Sequence, residues 1–421
     1  MKILFLNAFY PPHVGGGAEV VLRQLAEGLQ RRGCDVAVLA TGPEAGLQQQ
    51  VQEDIRVYRA GLYNLYWHFT QQRPGRLARI GWHVLDRYNK RMRRYVRAVI
   101  DLEQPDIVVS NNLTGWSISA WDEISAAGVP IVQVLHDLYL LCPKDTMFNH
   151  GRACSRQCTQ CKIFRTHHAG ASSQVAAVVG VSRFVLERIT SHGFFTNANR
   201  YVVHNCTDAN AEQRPAAPDS SAVPLRFGYI GTLSENKGVA WLIEQFQSLA
   251  IDARLDIAGR GKLDYEAKLK AMADPAKVSF HGYRKSDEFL RSIDVLVVPS
   301  LWDEPFGLVA VEACANHVPV IATNRGGLPE IVQDNLNGLI CSPDEPNSLA
   351  TSMLWLYVDA ELRQRLARRA RASVEPMLDT ERMLDEYQSI LRKTLQGTRI
   401  HHEPEPADHR PATRIASARD R

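Results

Sequence analysis

Short apolar runs alternate along the chain with stretches of helical periodicity. Residues 2–9 form an apolar run of the kind found in buried parallel strands. A helix is predicted over residues 18–32, because Val21, Leu22, Leu25 and Leu29 recur on one face. Further strands are predicted at 34–40, 106–110, 129–135 and 175–181. This strand–helix–strand order predicts a doubly wound α/β domain.

A second series of the same kind fills the C-terminal half. Strands are predicted at 225–230, 255–258, 278–280, 295–299 and 318–322, and helical patterns at 349–374 and 380–395. Between the two series, residues 214–224 are rich in Pro, Ala and Ser, as expected for a linker. We therefore expect a first domain at 1–205, a linker at 206–224, a second domain at 225–375, a final helix at 376–396 and a disordered tail at 397–421.

The composition limits the class of protein. A chain of 421 residues is long for one core, and 45% hydrophobic with 23% charged residues is typical of a globular protein. The N-terminus is too soon interrupted for a signal peptide, and no apolar run is long enough to span a membrane. We therefore expect a cytoplasmic protein. Its eight cysteines then favour thiols or metal ligands over a disulfide framework.

Two carboxylates, Glu304 and Glu312, flank the segment Glu304-Pro-Phe-Gly-Leu-Val-Ala-Val-Glu312. Pro305 suits the first position of a helix, so a helix is predicted to begin there. The N–H groups without a helical partner would then belong to Phe306, Gly307 and Leu308. Such a helix start attracts phosphate, and eight residues of helix span about 12 Å, enough to place the two acids on different parts of one ligand. The alternative is an acidic helix cap with a solvated glutamate.

Three other motifs lie where the predicted strands end. The run Gly15-Gly16-Gly17 precedes a helix, so its backbone could approach an anion, although a plain turn would look the same. Lys237 follows the strand at 225–230, and His136 follows the strand at 129–135. Ligands of open α/β sheets bind at such strand ends. The alternatives are a solvated lysine and a core histidine. The glycine spacing does not fit the dinucleotide fingerprint, which weakens a dehydrogenase interpretation.

In this order the motifs resemble those of the retaining glycosyltransferases of family 4. The matching segments are 15–19, 136–137, 181–182, 231–238, 304–312 and 326–330. The resemblance extends from Met1 to about residue 395. It implies the GT-B architecture, in which two Rossmann-like domains face each other and the C-terminal helix crosses back to the first domain. It also implies transfer of a sugar, with retention and without a catalytic metal, from a nucleotide diphosphate to a glycan or lipid-linked acceptor. Surface polysaccharide assembly is the expected setting.

The resemblance also implies roles for individual residues. Glu304 would hold the hydroxyls of the sugar, and Glu312 those of the ribose. Lys237 would bind the diphosphate together with the helix amides, and its charge would stabilise the leaving group. His136 would contact the transferred sugar and stabilise an oxocarbenium-like transition state, while Asp137 orients the loop.

The glycine motifs carry one match and one departure from the family pattern. Gly16 and Gly17 would face the diphosphate or the acceptor across the cleft. After Gly231 the family usually has an arginine, and this chain has Thr232 instead. Arg260, in Ala-Gly-Arg-Gly, is the nearest candidate to replace that cation.

Four cysteines follow His136 closely. Cys142, Cys154, Cys158 and Cys161 have the spacing C-x11-C-x3-C-x2-C, which could hold a structural zinc ion tetrahedrally. A redox or iron–sulfur site and four unligated thiols are the alternatives. The loop that carries them would shape the acceptor pocket.

Basic residues crowd the segment 73–97. They are Arg73, Arg76, Arg79, Arg87, Lys90, Arg91, Arg93, Arg94 and Arg97, with apolar residues interleaved at helical spacing. A basic amphipathic helix could contact the inner face of the cell membrane peripherally, which would suit a lipid-linked acceptor. An ordinary helix with a solvated charged face is the alternative. A formal net charge of +3 argues against a nucleic-acid partner.

Two rival functions remain at this point. A sugar-nucleotide-modifying enzyme, such as an epimerase on the same fold, would need acid/base carboxylates in place of the pair Glu304 and Glu312. A zinc-knuckle binding or scaffold protein would bind a membrane or RNA without turnover and would tolerate the loss of both glutamates.

Overall fold

The computed structural model describes residues 1–69, 74–207 and 224–400. The N-terminal half contains ten strands and seven α-helices within those residues. They are β1 (Lys2–Leu6), α1 (Gly17–Arg31), β2 (Asp35–Gly42), β3 (Leu47–Gln52), β4 (Ile55–Gly61), α2 (Arg76–Asp86), α3 (Arg93–Glu103), β5 (Ile107–Ser110), α4 (Ser119–Ala126), β6 (Ile131–Leu135), β7 (Phe148–Asn149), β8 (Arg152–Ala153), α5 (Thr159–Phe164), α6 (His168–Ala171), β9 (Ala177–Gly180), α7 (Arg183–Thr190) and β10 (Asn199–Val202).

Eight of these strands form one sheet in the order β10-β9-β6-β5-β1-β2-β4-β3. All neighbours are parallel except β3, which pairs antiparallel with β4. Strands β1, β5 and β6 are almost completely buried because both faces of the sheet are covered. Their mainly apolar sequences suit this position. The remaining two strands, β7 and β8, form a small hairpin in the cysteine-containing loop.

The C-terminal half forms a second parallel sheet. Its elements are β11 (Leu225–Ile230), α8 (Val239–Gln247), β12 (Ala253–Ala258), α9 (Leu263–Met272), β13 (Val278–Gly282), α10 (Ser286–Leu290), β14 (Val295–Val298), α11 (Leu308–Ala315), β15 (Val320–Thr323), β16 (Gly338–Cys341), α12 (Ser348–Val358), α13 (Ala360–Ser373) and α14 (Thr380–Ile400). The strand order is β13-β12-β11-β14-β15-β16. The predicted architecture of two doubly wound α/β sheets is confirmed.

The last helix, α14, returns to the N-terminal half and packs on α1. A Cβ atom on Gly28 of α1 would lie only 2.6 Å from the Leu384 side chain, so glycine permits the close approach of the two helices. Arg32 donates to Asp385 at 2.8 Å and also pairs with Glu381. The predicted crossing of the C-terminal helix is therefore confirmed.

The predicted helix start at Pro305 is wrong, because α11 begins at Leu308. Gly307 adopts φ = 113°, a left-handed conformation that ends the preceding loop. That loop is held by the glycine pair at 326–327, since the Gly327 N–H donates to the Glu304 carbonyl at 2.7 Å. A Cβ on Gly326 would lie 2.0 Å from the same carbonyl oxygen. Glu304 is therefore separated from the start of the helix by three residues of loop.

The expectation of one basic helix over 73–97 is also wrong, because α2 and α3 are separate helices. Asn89, in the connecting turn, is buried, and its N–H donates to Ser117 Oγ at 2.7 Å. Two of the basic residues, Arg93 and Arg97, are paired with Glu123 at 2.7 Å each. Arg73 lies outside the described residues.

The predicted linker and tail fall largely outside the described residues. The linker was expected at 206–224, but Cys206 is buried and the Thr207 N–H donates to the Met377 carbonyl at 3.1 Å. Residues 208–223 and 401–421 are not described, and α14 continues past its expected end to Ile400. Among the described helices, none is both long and apolar enough to cross a membrane.

Candidate active site

A cleft of about 520 Å³ lies where the carboxyl ends of the strands of both sheets meet. It brings together residues from both halves of the chain. The predicted residues on its wall are Gly16, Gly17, His136, Lys237, Glu304, Phe306, Gly307 and Leu308. Thr232 lines it as well, whereas Arg260 and Glu312 do not.

Lys237 and Glu304 form an ion pair in the wall of the cleft. Lys237 Nζ lies 2.6 Å from Glu304 Oε1, and Ser300 Oγ donates to the same oxygen at 2.6 Å. Lys237 also lies over the Trp302 ring, 5.1 Å from its centroid. Glu304 is only 7% exposed, so these two donors replace water in stabilising the negative charge of its carboxylate. The partly exposed ammonium of Lys237 can present positive charge to an anionic ligand.

The position of Lys237 depends on the glycine that follows it. Lys237 ends a short 3₁₀ turn at 235–237, and Gly238 has φ = 73°. A Cβ on Gly238 would lie 1.9 Å from the Pro299 carbonyl oxygen, so only glycine fits there. The turn after β11 is thereby held against the end of β14, which aims Lys237 at Glu304.

His136 stands at the end of β6, where the sequence predicted it. Its Nε2 lies 3.0 Å from Asn111 Oδ1, which follows β5. Burial lowers the pKa of His136 to about 4. His136 is therefore a neutral imidazole near pH 7, and it can exchange hydrogen bonds with a sugar but does not supply a full charge.

Two aspartates on the N-terminal side of the cleft add acidic groups. Asp137 accepts from the Tyr139 N–H at 2.8 Å, and burial raises the pKa of Asp137 to about 6. Asp145 also lines the cleft, and burial, followed by the proximity of Asp137, raises its pKa well above the usual range. Asp145 Oδ1 has no hydrogen-bond partner among the described residues. Asp137 was expected only to orient the loop, and no sequence signal pointed to Asp145.

The cysteine-containing loop is what brings Asp145 to the cleft. The Leu138 N–H donates to the Asp145 carbonyl at 2.9 Å, and the Asp145 N–H donates to the Cys142 carbonyl at 3.1 Å. Asp145 has φ = 64°, which is rare for a residue other than glycine and is held here by those two bonds. The loop after His136 therefore forms part of the cleft wall, and its role in shaping the acceptor pocket stays a prediction.

The glycine run is bound by an internal carboxylate. Glu19 is 3% exposed, and its Oε2 accepts from the N–H groups of Gly15 at 3.2 Å and Gly16 at 2.9 Å. Burial raises the pKa of Glu19, although these hydrogen bonds act in the opposite direction. Gly17 lies across the cleft from α11, since a Cβ there would be 3.6 Å from Leu308 Cδ2. The run thus approaches the start of α11 closely, while two of its amides are already occupied.

Glu312 opens into a neighbouring cavity of about 480 Å³. That cavity is also lined by Gln24, Thr207, Lys285, Ser286, Asp287, Glu288 and Arg291. Ser286 Oγ donates to Glu312 Oε2 at 2.5 Å, and burial raises the pKa of Glu312. The two glutamates therefore flank the N-terminal part of α11, one in each cavity.

Arg260 does not reach the position that Thr232 leaves without a cation. It follows β12 and is exposed, and its carbonyl accepts from the Leu233 N–H at 2.9 Å. The role suggested for Arg260 stays a prediction.

Glu330 joins the two halves beside the cleft. Its carboxylate accepts from the N–H groups of Arg183 at 2.9 Å and Phe184 at 2.8 Å, at the start of α7. His204 Nε2 lies 2.9 Å from Glu330 Oε2. Although burial alone would raise the pKa of Glu330, these hydrogen bonds hold it below its ordinary value. The sequence placed this residue in a family motif but gave it no role.

The four clustered cysteines are all free thiols. Cys142 and Cys161 are buried, Cys154 is half-buried and Cys158 is exposed. The Cys161 thiol is within hydrogen-bonding reach of Cys142 and Cys158. Within the described ranges, no group of three or more His, Cys, Asp or Glu side chains is arranged to hold a metal ion. Zinc binding by these four thiols stays a prediction, and it would require them to converge further.

Comparison with known proteins gives the family. Residues 16–206 match the model described as glycosyl transferase 4-like domain, and residues 213–373 match that of glycosyl transferases group 1. An uncharacterized 42.6 kDa protein in the cps region of Klebsiella pneumoniae is 28% identical over 333 residues, which are 79% of this chain and 87% of that protein. Glycogen synthase of Mycobacterium tuberculosis is 26% identical over 96% of this chain and 97% of its own length.

Solved structures agree on the fold. Anabaena Alr3699/HepE, crystallised with UDP and glucose, superposes with a TM-score of 0.70 at 21% identity, covering 93% of this chain and 99% of that one. Sucrose-phosphate synthase from Thermosynechococcus elongatus superposes with a TM-score of 0.70 at 17% identity, covering 94% of this chain and 99% of that one. Two family models together cover both halves of the chain, and the cleft lies at the ends of both sheets. The chain therefore belongs to the family-4-like glycosyltransferases of the GT-B fold.

Proposed function

We propose that this glycosyltransferase moves a sugar, with retention of anomeric configuration and without a catalytic metal, from a nucleoside diphosphate to a hydroxyl of a glycan or lipid-linked acceptor. The observation that carries the proposal is the Lys237–Glu304 pair in the cleft beside the start of α11. A lysine and the free amides of a helix N-terminus together form a site for a diphosphate.

The donor would occupy both cavities around α11. Its diphosphate would lie near Lys237 and the N–H groups at Gly307 and Leu308, and Glu304 would hold hydroxyls of the sugar. Glu312 would accept hydrogen bonds from the ribose in the neighbouring cavity. The eight residues of α11 span about 12 Å, which suits a nucleotide-sugar lying along its start.

The mechanism follows from the groups that the cleft offers. When the bond to the leaving phosphate breaks, negative charge grows on the diphosphate and Lys237 stabilises it. The departing phosphate takes the proton of the acceptor hydroxyl on the same face of the sugar, which gives retention. His136, as the neutral imidazole, orients the sugar through a hydrogen bond. Alignment and charge stabilisation are the large contributions to such a step.

Two relatives support the biological setting and the donor class. The relative in the cps region supports a role in surface polysaccharide biosynthesis, and the UDP and glucose bound to the Anabaena protein support a nucleotide-sugar donor. A peripheral position on the cytoplasmic face of the cell membrane would bring the enzyme to a lipid-linked acceptor. The cysteine-containing loop, through Asp145, would form part of the acceptor pocket.

The test is a thermal-shift screen of the purified protein against UDP-, GDP- and ADP-sugars. A ligand at 100 times its Kd stabilises the native state by about 2.7 kcal/mol, which is readily measured. The shift should be lost in Glu312→Ala, which removes the ribose contact, and retained in Glu345→Ala, which removes an exposed glutamate of the same half.

Three outcomes would count against the proposal. An unchanged shift in Glu312→Ala would remove the ribose role. One donor could give a thermal shift while its sugar is chemically altered and never transferred to a hydroxyl. That outcome would favour a sugar-nucleotide-modifying enzyme. The absence of a shift with every donor would favour the binding or scaffold protein.

A further inference from the structure

Helix α2 has its apolar and polar sides reversed relative to an ordinary surface helix. Such a helix normally buries its apolar stripe and exposes its polar face. Apart from Arg76 at its start, the exposed residues of α2 are apolar: Leu77 is 85% exposed, Val84 57%, Leu85 44% and Ile80 41%. Positions 77, 80 and 84 follow the spacing of one helical face, so these side chains form a continuous stripe.

The inward side of the same helix carries polar groups. Asp86 is completely buried and accepts from the Gly115 N–H at 2.7 Å and from the Tyr139 hydroxyl at 2.8 Å. The partly buried Arg79 and His83 also lie on this side, beside Trp82. Because α2 is anchored through Asp86 and Trp82, the apolar stripe cannot turn inward without exposing both.

Neighbouring segments extend the exposed apolar surface. Leu65, which is 57% exposed, lies against α2, because a Cβ on Gly81 would be 2.9 Å from Leu65 Cδ1. On the other side, α5 packs against α2 through Phe164 and His83, whose rings are 6.2 Å apart. Exposed Ile163 lies on that neighbouring helix. The apolar stripe and Leu65 are called the α2 face below.

The ends of α2 carry positive charge. Arg76 is exposed at the start of the helix, and Arg87, Lys90 and Arg91 follow at its end. In the described part of the chain, none of these four forms an ion pair with a carboxylate. In contrast, Arg93 and Arg97 on the next helix share an ion pair with Glu123. Free cations therefore border the α2 face.

We propose that the α2 face docks on an anionic phospholipid bilayer, with its apolar side chains among the acyl chains and Arg76, Arg87, Lys90 and Arg91 at the headgroups. Apolar residues bordered by unpaired cations are the combination that binds such interfaces. This inference deepens the proposed function, since it identifies the surface that would bring the cleft to a lipid-linked acceptor.

A second copy of the chain fits this face less well. In a two-fold dimer the α2 face of one chain packs against the α2 face of the other. The basic residues at the ends of α2 would then lie close to the basic residues of the second chain. Like charges without carboxylate partners repel across such an interface. A bilayer rich in anionic lipid instead attracts all four cations.

The experiment is co-sedimentation of the full chain with vesicles of phosphatidylglycerol and phosphatidylcholine in equal amounts, and with vesicles of phosphatidylcholine alone. Leu77→Ser should weaken binding to the anionic vesicles by about tenfold, because a leucine side chain would no longer enter the bilayer. Leu263→Ser is the matched control, since Leu263 is equally exposed, at 85%, on the other half of the chain. It should bind as the wild type does. Binding should also fall as salt is raised.

Three outcomes would overturn the proposal. Wild-type protein could remain in the supernatant with anionic vesicles, or Leu77→Ser could bind as tightly as Leu263→Ser. A concentration-dependent dimer that Leu77→Ser abolishes, without vesicle binding, would assign the face to a second copy. Leu77→Ser should keep the thermal shift given by nucleotide-sugars, so the docking face and the proposed donor site are tested separately.

Discussion

Replacing Lys237 by methionine should destabilise the free enzyme, because it leaves a buried carboxylate without its cation. Glu304 is 7% exposed and would keep only the hydrogen bond from Ser300. At 2.6 Å and an effective dielectric constant near 20, the attraction between Lys237 and Glu304 is about 6 kcal/mol before solvation is considered. Loss of hydration offsets much of this, and the Lys237 side chain is still 27% exposed. We expect Lys237→Met to lower the free energy of unfolding by about 2 kcal/mol.

A double-mutant cycle separates this pair from other effects of the substitution. Glu304→Gln removes the charge that needs Lys237, so the double variant should be less destabilised than the sum of the single variants by at least about 1 kcal/mol. The measurement is urea unfolding at pH 7 followed by tryptophan fluorescence. Because the carboxylate is buried, moderate salt should change the coupling little.

Saturating UDP adds a functional arm to the cycle. If Lys237 turns to the diphosphate, the coupling between Lys237 and Glu304 should shrink when UDP is present. Additive single effects, within about 0.5 kcal/mol, would refute the energetic argument. A Lys237→Met variant as stable as the wild type would do the same.

Two further predictions concern groups outside this pair. Glu330→Gln should destabilise the protein at pH 7, and the difference should narrow as the pH falls below about 4.5. The reason is that the pKa of Glu330 is lower in the folded protein than in the unfolded chain. The Glu330 carboxylate therefore stabilises the folded state fully above the unfolded pKa, and this stabilisation is lost as the pH falls through the folded pKa. Free energies of unfolding at pH 7 and pH 4, for the wild type and the variant, would measure the loss. Replacing Cys158 and Cys161 by Ser should release about one zinc per chain and lower the Tm, by analogy with structural sites. Elemental analysis of protein purified without chelators checks this, and wild-type protein without zinc would rule out the metal site.

Sequence alone was sufficient for five strands of each sheet and for the place of the cleft. The strand that ends just before His136 is completely buried, and the strand that precedes Lys237 buries Phe227 and Tyr229, so both strands could be located from their apolar residues. Ligands of doubly wound sheets gather at such ends, which is why the cleft contains His136, Lys237 and Glu304 as expected. The roles of these residues stay predictions.

What the sequence could not show depends on contacts between distant segments. Strand β3 has the sequence Leu-Gln-Gln-Gln-Val-Gln and is defined only by pairing antiparallel with β4 at the sheet edge. Pro305 lies outside α11 because Gly326 and Gly327, about twenty residues later, hold its loop through the Glu304 carbonyl. Asn89 interrupts the basic segment by bonding to Ser117. Asp145 reaches the cleft only because its loop folds back on Leu138.

The crossing of α14 has a consequence for how the chain is made. Met383, Leu384 and Tyr387 of α14 belong to the same buried core as Leu25 and Leu29 of α1. During synthesis, the first half of the chain therefore emerges from the ribosome long before α14, which completes its core. The apolar face of α1 stays partly exposed to solvent until α14 has been synthesised. A fragment cut at the linker would keep that gap permanently, so we expect residues 1–207 alone to be prone to aggregation and the intact chain to fold its N-terminal half last.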